Sequence, residues 1–200
     1  SLNKEVYREK IIDIILEAKK HGWSKAKFYF MVGLPVEQGG LHEEIEIVNF
    51  LLEIQERTRI QCNVNVGTFI PKPHTPYQWS KQLTMAESDQ KLDFIRRSLP
   101  RGKFKVSTHQ SFNSFLEGIL SRGDERVGEI IQDAWEQGCR LDAWEDWARP
   151  DLWKNAIRNA GWDVESISLR ERSFDEPLPW DGVSLGVSKS FLKREKQRSD

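Results

Sequence analysis

The sequence predicts an α/β fold: consecutive β/α units of a barrel or an open parallel sheet, followed by a mostly helical extension. Three observations predict it. Stretches of helical period and short apolar runs alternate as α-β-α-β-α-β over residues 1–110. From residue 111 to 200 the strands stop, and apolar residues recur at spacings of three and four. A chain of 200 residues with 38% hydrophobic side chains is also long enough to bury a core.

The elements follow in order. Tyr7, Ile11, Ile14, Ile15 and Ala18 set a helix over 4–20, closed by His21-Gly22. Phe28-Tyr29-Phe30-Met31-Val32 is apolar without alternation, the pattern of a strand covered on both faces. Leu41, Ile45, Val48 and Leu52 set a second helix ending near Arg57. In the strand 62–70, Cys62, Val64, Val66, Thr68 and Ile70 share one face, while Asn63, Asn65, Gly67 and Phe69 share the other. That pattern suits a strand lining a barrel that holds a polar ligand, and equally an ordinary half-exposed strand. A helix over 85–98 and a strand over 104–108 complete this half.

In the extension, Phe112, Phe115, Leu116, Ile119 and Leu120 form one stripe closed by Gly123. Asp124 is placed to cap a helix carrying Val127, Ile130, Ile131, Ala134 and Trp135. Pro150 opens a helix through Trp153, Ala156, Ile157 and Ala160. Residues 163–187 read as irregular, with Pro177, Pro179, Gly182 and Gly186 as breakers. Ser188 then starts a short basic helix.

Composition excludes several classes. A net charge of −1 gives no overall attraction to nucleic acid or anionic lipid. No apolar run approaches the roughly 20 residues of a membrane span, so no membrane partner is expected and the placement expected is cytoplasmic. Cys62 and Cys139 cannot form a disulfide framework or a four-cysteine metal site. His21, His42, His74 and His109 lack the spacing of a helical metal pair, so no metal site is expected. The chain opens Ser1-Leu2-Asn3 and enters a helix with no strand before it, as a piece cut from a longer chain would.

Chemistry in such folds sits beyond the carboxyl ends of strands. Gly33-Leu34-Pro35-Val36-Glu37-Gln38-Gly39-Gly40 occupies one such place, either as a structural turn or as a loop offering amides to an anion. The second is Phe69 to Trp79, in which Pro71, Pro73 and Pro76 are expected to hold the backbone extended and available to a planar ligand. Tyr77 and Trp79 either stack on that ligand or anchor the loop. His109 is either a proton donor at a strand end or a surface histidine. Glu43, Glu44 and Glu46 suit the first turn of a helix. Eight tryptophans are many for this length, and six lie between 135 and 180. Trp144 and Trp147, with Asp142, Glu145 and Asp146, either stack on a sugar or base or cement the helices together. Lys193, Arg194, Lys196 and Arg198 read as a solvated face, with nucleic-acid contact as the other reading.

These motifs carry a resemblance. Gly33-Leu34-Pro35-x-Glu37, the run Phe-Ile-Pro-x-Pro-x-Thr-Pro at 69–76 and Gln78-Trp79 resemble the later part of a radical-SAM (TIM-like) barrel. Ser121-Arg122-Gly123-Asp124-x-Arg126, Ala134-Trp135 through Asp142-x-Trp144, Leu178-Pro179-Trp180-Asp181 and Gly186-Val187-x-Lys189-x-Phe191-Leu192 look like one branch of that family. In that branch a cobalamin-binding-like domain precedes the barrel.

The resemblance implies an iron–sulfur enzyme. A [4Fe–4S] cluster on a CxxxCxxC loop binds S-adenosylmethionine and cleaves it to a 5′-deoxyadenosyl radical that abstracts hydrogen from a substrate. This chain has no CxxxCxxC. The resemblance therefore implies that the first strands, the cysteine loop and any cobalamin domain belong to an upstream part of the same polypeptide. The fragment alone would be inactive and hold no cofactor. By position, Val32, Gly33, Phe69, Ile70 and Pro71 correspond to cofactor contacts, and Asn63 and Asn65 would orient cofactor or substrate. No catalytic residue and no substrate can be named. An exposed barrel edge predicts a homodimer of the fragment. The rival expectation is a non-enzymatic module whose tryptophan-rich half binds RNA or a protein.

Overall fold

The computed structural model describes residues 7–35, 42–142, 144 and 147–199. The fold is mixed α/β, with an open sheet of three parallel strands rather than a closed barrel. The elements are α1 (Arg8–Lys20), β1 (Lys25–Val32), α2 (Glu43–Thr58), β2 (Gln61–Thr68), α3 (Met85–Ser98), β3 (Phe104–Thr108), α4 (Ser111–Arg122), α5 (Val127–Glu136), α6 (Pro150–Asn159), α7 (Val164–Leu169) and α8 (Lys189–Ser199). They group into two compact units. One comprises 1–69, 85–111 and 194–200; the other comprises 70–84 and 112–193.

In the first unit the strands lie in sequence order β1-β2-β3, all parallel. Right-handed crossovers between neighbouring parallel strands put their connecting helices on one face of the sheet. The burial pattern agrees. Cys62, Val64 and Val66 are buried at even positions of β2, and Val32 is buried at the end of β1. Ile47, Val48, Leu51 and Ile54 of α2 and Leu92 and Ile95 of α3 complete that core. Phe28 and Phe30 meet the Phe50 ring edge-on, with centroids 6.2 and 6.1 Å apart.

The other face of the sheet is open, which corrects the expectation that β1 is covered on both sides. Tyr29 is 67% and Met31 43% exposed, because these odd positions share the open face with Asn65 and Gly67. Two helical stripes are also rotated from their expected positions. In α1 the buried residues are Ile12 and Ile15, while Tyr7 and Ile14 are exposed. In α2, Ile45 and Leu52 are exposed and their neighbours Ile47 and Leu51 are buried; Leu41 lies outside the described residues.

In the second unit Phe112, Phe115 and Ile119 of α4 and Val127, Ile130 and Ala134 of α5 are buried, whereas Leu120, Ile131 and Trp135 are exposed. Asp124 does not cap α5 directly: its Oδ1 accepts from the N–H of Arg126, one residue before the helix, at 3.1 Å. Pro150 stands in the first turn of α6, as its fixed φ favours. The stretch read as irregular contains α7, whose cap Asp163 accepts from the N–H of Ser166 at 2.9 Å. Trp79, Leu178, Trp180 and Leu192 form a buried cluster with Phe174 packed against it.

Candidate functional site

The open face of the sheet is polar across all three strands. The parallel register sets Lys27, Asn63 and Lys105 in one row, and Tyr29, Asn65 and Ser107 in the next. Met31 and Gly67 begin a third row. The His109 imidazole completes it, with Nδ1 3.6 Å from where a Cβ on Gly67 would lie. The Lys27 ammonium sits 4.9 Å from the centroid of the Tyr29 ring. These rows contain lysines and amides and no acidic residue. Asn63 and Asn65 are half-buried on this face, as the alternation in β2 predicts.

The carboxyl ends of β1 and β2 are tied down by residues that the sequence reading gave no such role. Gly33, at φ +85°, donates its N–H to Glu43 Oε1 at 2.6 Å. Lys91 of α3 reaches Glu43 at 3.2 Å and Glu44 at 2.5 Å. Burial is the largest influence on Glu44 and opposes its charged form. The hydrogen bond from Lys91, a backbone hydrogen bond and the charges of Lys91 and His42 together outweigh it, and the carboxyl stays below its ordinary range. Burial also works against Lys91, and its two glutamate partners raise its pKa on balance. The hydroxyls of Thr68 and Ser88 are 2.5 Å apart. Phe69 donates its N–H to the Val32 carbonyl at 2.8 Å. The Val32 side chain is fully buried on the helix-covered face, so only its backbone borders the strand end. Gly33 and Phe69 are half-buried there. Val36 to Gly40 lie outside the described residues.

In the second unit the segment 70–84 is built around Arg122, whose side chain is completely buried. All five guanidinium N–H groups find carbonyls. Nε donates to Ser168 at 3.1 Å. One terminal nitrogen donates to Pro71 at 2.9 Å and Gln78 at 3.3 Å. The other donates to Ser80 at 2.9 Å and Arg170 at 3.0 Å. Burial pulls the Arg122 pKa down to about 9, and the nearby charges of Arg172 and Arg170 act in the same direction. The cation therefore persists at neutral pH, held by oxygen dipoles rather than by a carboxylate.

This arrangement overturns the expectation that the proline-rich backbone stays available to a ligand. The carbonyls of Pro71, Gln78 and Ser80 are taken by Arg122, and that of Trp79 accepts from the Arg172 N–H at 2.7 Å. The Thr75 hydroxyl donates to the Lys72 carbonyl at 2.8 Å. Ile70 is half-buried and Pro71 buried within this unit. Tyr77 and Trp79 are buried, so both anchor the segment. Trp79 meets Phe174 edge-on, with centroids 4.9 Å apart. Sequence reasoning missed Arg122, although an arginine on the last turn of an apolar stripe is itself a signal that something buried needs donors.

The remaining candidates separate clearly. His109 is exposed. No group of three or more His, Cys, Asp or Glu side chains poised to hold a metal occurs among the described residues. Cys62 and Cys139 are both buried, and burial pushes the Cys62 thiol up to about 11. Burial, followed by the Asp142 carboxylate, also raises Cys139. Of the six clustered tryptophans, Trp153 and Trp180 are buried, while Trp135, Trp144 and Trp147 are largely exposed. Glu145 and Asp146 lie outside the described residues. Among the described residues no helix is long and apolar enough to cross a membrane.

No family model matches the chain, and no solved structure matches it. It is 32% identical to an uncharacterised protein of Methanocaldococcus jannaschii over 132 residues, which are 65% of this chain and 28% of that protein's length.

Proposed function

We propose that the chain supplies three β/α units to the barrel of a radical-SAM enzyme, followed by a helical extension, as part of a longer polypeptide. One observation carries this reading: three parallel strands in sequence order, helix-covered on one face, present a polar opposite face toward strand ends marked by Gly33 and Phe69. A barrel that holds a polar ligand in its lumen suits a face of that kind, because helices cover the outside of each strand and the lumen takes the polar groups.

The residues present fit one half of the cofactor pair. A [4Fe–4S] cluster would supply electrons for radical chemistry on S-adenosylmethionine. Cys62 and Cys139 do not fit it, since both thiols are buried and kept protonated by burial. The cluster, and any cobalamin, therefore belong to the upstream part of the polypeptide. On this chain Gly33 and Phe69 would border S-adenosylmethionine at the strand ends. Asn63 and Asn65 would orient cofactor or substrate on the lumen face, and Arg122 would fix the backbone at Pro71. Among the described residues β1 pairs on one side only. An upstream strand would occupy the other side, and without it a second copy would cover the edge as a homodimer.

The test has two parts. The native gene upstream of Ser1 should encode CxxxCxxC, and its absence would overturn the reading. After anaerobic reconstitution the present chain should hold no stoichiometric iron; one cluster per chain would contradict the assignment of the cluster to upstream residues.

The exposure of Trp135, Trp144 and Trp147 favours a second reading, in which the helical half stacks on RNA or docks a protein. It predicts nucleic-acid affinity that falls steeply with salt and is indifferent to S-adenosylmethionine.

A further inference from the structure

The second unit contains a cavity of about 280 Å3 that the sheet does not border. Its polar groups are Gln78, His74, Asp181, Ser184 and Lys189, and its aliphatic wall includes Leu185 and Leu192. These residues come from four separate parts of the sequence: the proline-rich segment, the Leu-Pro-Trp-Asp turn, the stretch 183–187 that follows it, and α8.

Gln78 is the informative member. Its side chain is 2% exposed. Oε1 accepts two hydrogen bonds, from the His74 backbone N–H at 3.0 Å and from the Trp180 indole N–H at 2.7 Å. Both partners can only donate, so the amide cannot be flipped and its orientation is fixed. The Nε2 group, with two N–H donors, has no hydrogen-bond partner among the described residues. Gln78 lines the cavity, so the cavity is where an acceptor for this group would sit.

The surroundings narrow the acceptor. Lys189 donates to Asp181 Oδ2 at 2.8 Å and lies 3.5 Å from the Glu176 carbonyl, which leaves ammonium capacity at the rim. Asp181 Oδ2 also accepts from the Leu178 N–H at 2.8 Å, so its charge is already compensated. His74 is held at φ +57°, a left-handed conformation that costs a non-glycine residue energy and tends to persist at functional positions. The remaining wall is mostly aliphatic, with Ser184 among Val183, Leu185, Val187 and Leu192. A cavity of this size has room for a ligand of on the order of ten non-hydrogen atoms, taking about 30 Å3 per water displaced.

We propose that this cavity binds a small organic carboxylate with a short aliphatic body, its oxygens on the Gln78 amide and the Lys189 ammonium. This site lies within the second unit alone and does not depend on the radical-SAM reading.

The experiment titrates the full chain with 4-methylpentanoate, following backbone and indole resonances by 1H–15N NMR, with 4-methylpentan-1-ol as the uncharged control. Saturable shifts at His74, Gln78 and the Trp180 indole are expected with the acid, and at least tenfold weaker ones with the alcohol. Gln78→Glu keeps an oxygen for the His74 and Trp180 donors and replaces the amide donor with a second oxygen; it should weaken acid binding at least tenfold. Lys189→Met, at a half-exposed side chain, should weaken it several-fold and serves where Gln78→Glu does not fold. Equal binding of acid and alcohol, unchanged binding in either folded variant, or no shift at millimolar acid would each overturn the proposal.

Discussion

Trp180 donates its indole N–H to Gln78 Oε1 at 2.7 Å, joining residues 102 positions apart in the sequence. The bond runs between the Leu-Pro-Trp-Asp turn and the proline-rich segment, and the Arg172 guanidinium lies 5.3 Å from the Trp180 ring centroid. Trp180→Phe keeps an aromatic ring in the cluster and removes the donor. A loss of about 1–2 kcal/mol is expected in urea unfolding, the size of one buried hydrogen bond together with some packing.

Arg122 is the stronger case, because five carbonyls lose a hydrogen bond at once, while that of Ser168 keeps another, from Arg172 at 3.4 Å. Arg122→Met should cost about 3 kcal/mol or more and abolish the near-ultraviolet circular dichroism of the tryptophans. Arg122→Lys should recover only part of this, since a point ammonium cannot reproduce a planar fork of five donors. A lysine variant as stable as the parent would contradict the network's role.

Gly118 lies on α4 where a Cβ would come within 2.3 Å of Gln82 Oε1. Gln82 is buried, and its Nε2 donates to the Ser114 carbonyl at 2.8 Å, so it cannot swing aside. Gly118→Ala should therefore destabilise by about 1–3 kcal/mol, although alanine is the better helix former. A stabilised variant in thermal unfolding would show that Gln82 yields.

Both thiols should resist aromatic disulfide reagents at pH 8 and react only on unfolding, because burial raises their pKa values. The sign for stability follows. Cys62 is protonated in the folded state up to about 11 and in the unfolded chain up to 9.0, so its contribution is intact below pH 9 and is lost as pH rises toward 11. Fast labelling of native protein would contradict the buried placement.

Acid should weaken the second unit. Asp124 is held below its ordinary range by the Arg126 hydrogen bond, Glu176 by Arg170, and Asp181 by the Leu178 N–H and then Lys189. Depressed carboxyls contribute stability above their unfolded values and lose it as pH falls through the folded ones. Urea midpoints should therefore decline below about pH 4, near the ordinary carboxyl values. A midpoint unchanged at pH 3 would contradict these pairings.

The alternation of β2, the helix over 85–98 and the helical second half were legible because each rests on local period and glycine or proline punctuation. Asn63 and Asn65 could be placed on an open face from alternation alone. The error at β1 has a physical reason: Tyr29 and Met31 are apolar enough to look buried, and only the register against Asn65 and Gly67 shows that their side of the sheet is open. The partners of Arg122 and the Trp180 partner of Gln78 were out of reach of any sequence window, since those contacts span between 42 and 102 positions. Glu43 was read correctly as a first-turn residue, but its bond to the Gly33 N–H depends on where the β1 exit meets α2.

The central claim is that the polar face and strand ends of the first unit form part of an S-adenosylmethionine site. It is tested most directly by titrating the chain with S-adenosylhomocysteine and mapping 1H–15N shifts. The account predicts weak, saturable shifts clustered at Gly33, Asn63, Asn65 and Phe69, and their loss in an Asn63→Leu/Asn65→Leu variant that keeps its fold. No saturable shift at those residues, or shifts confined to the Trp144 and Trp147 region, would contradict it.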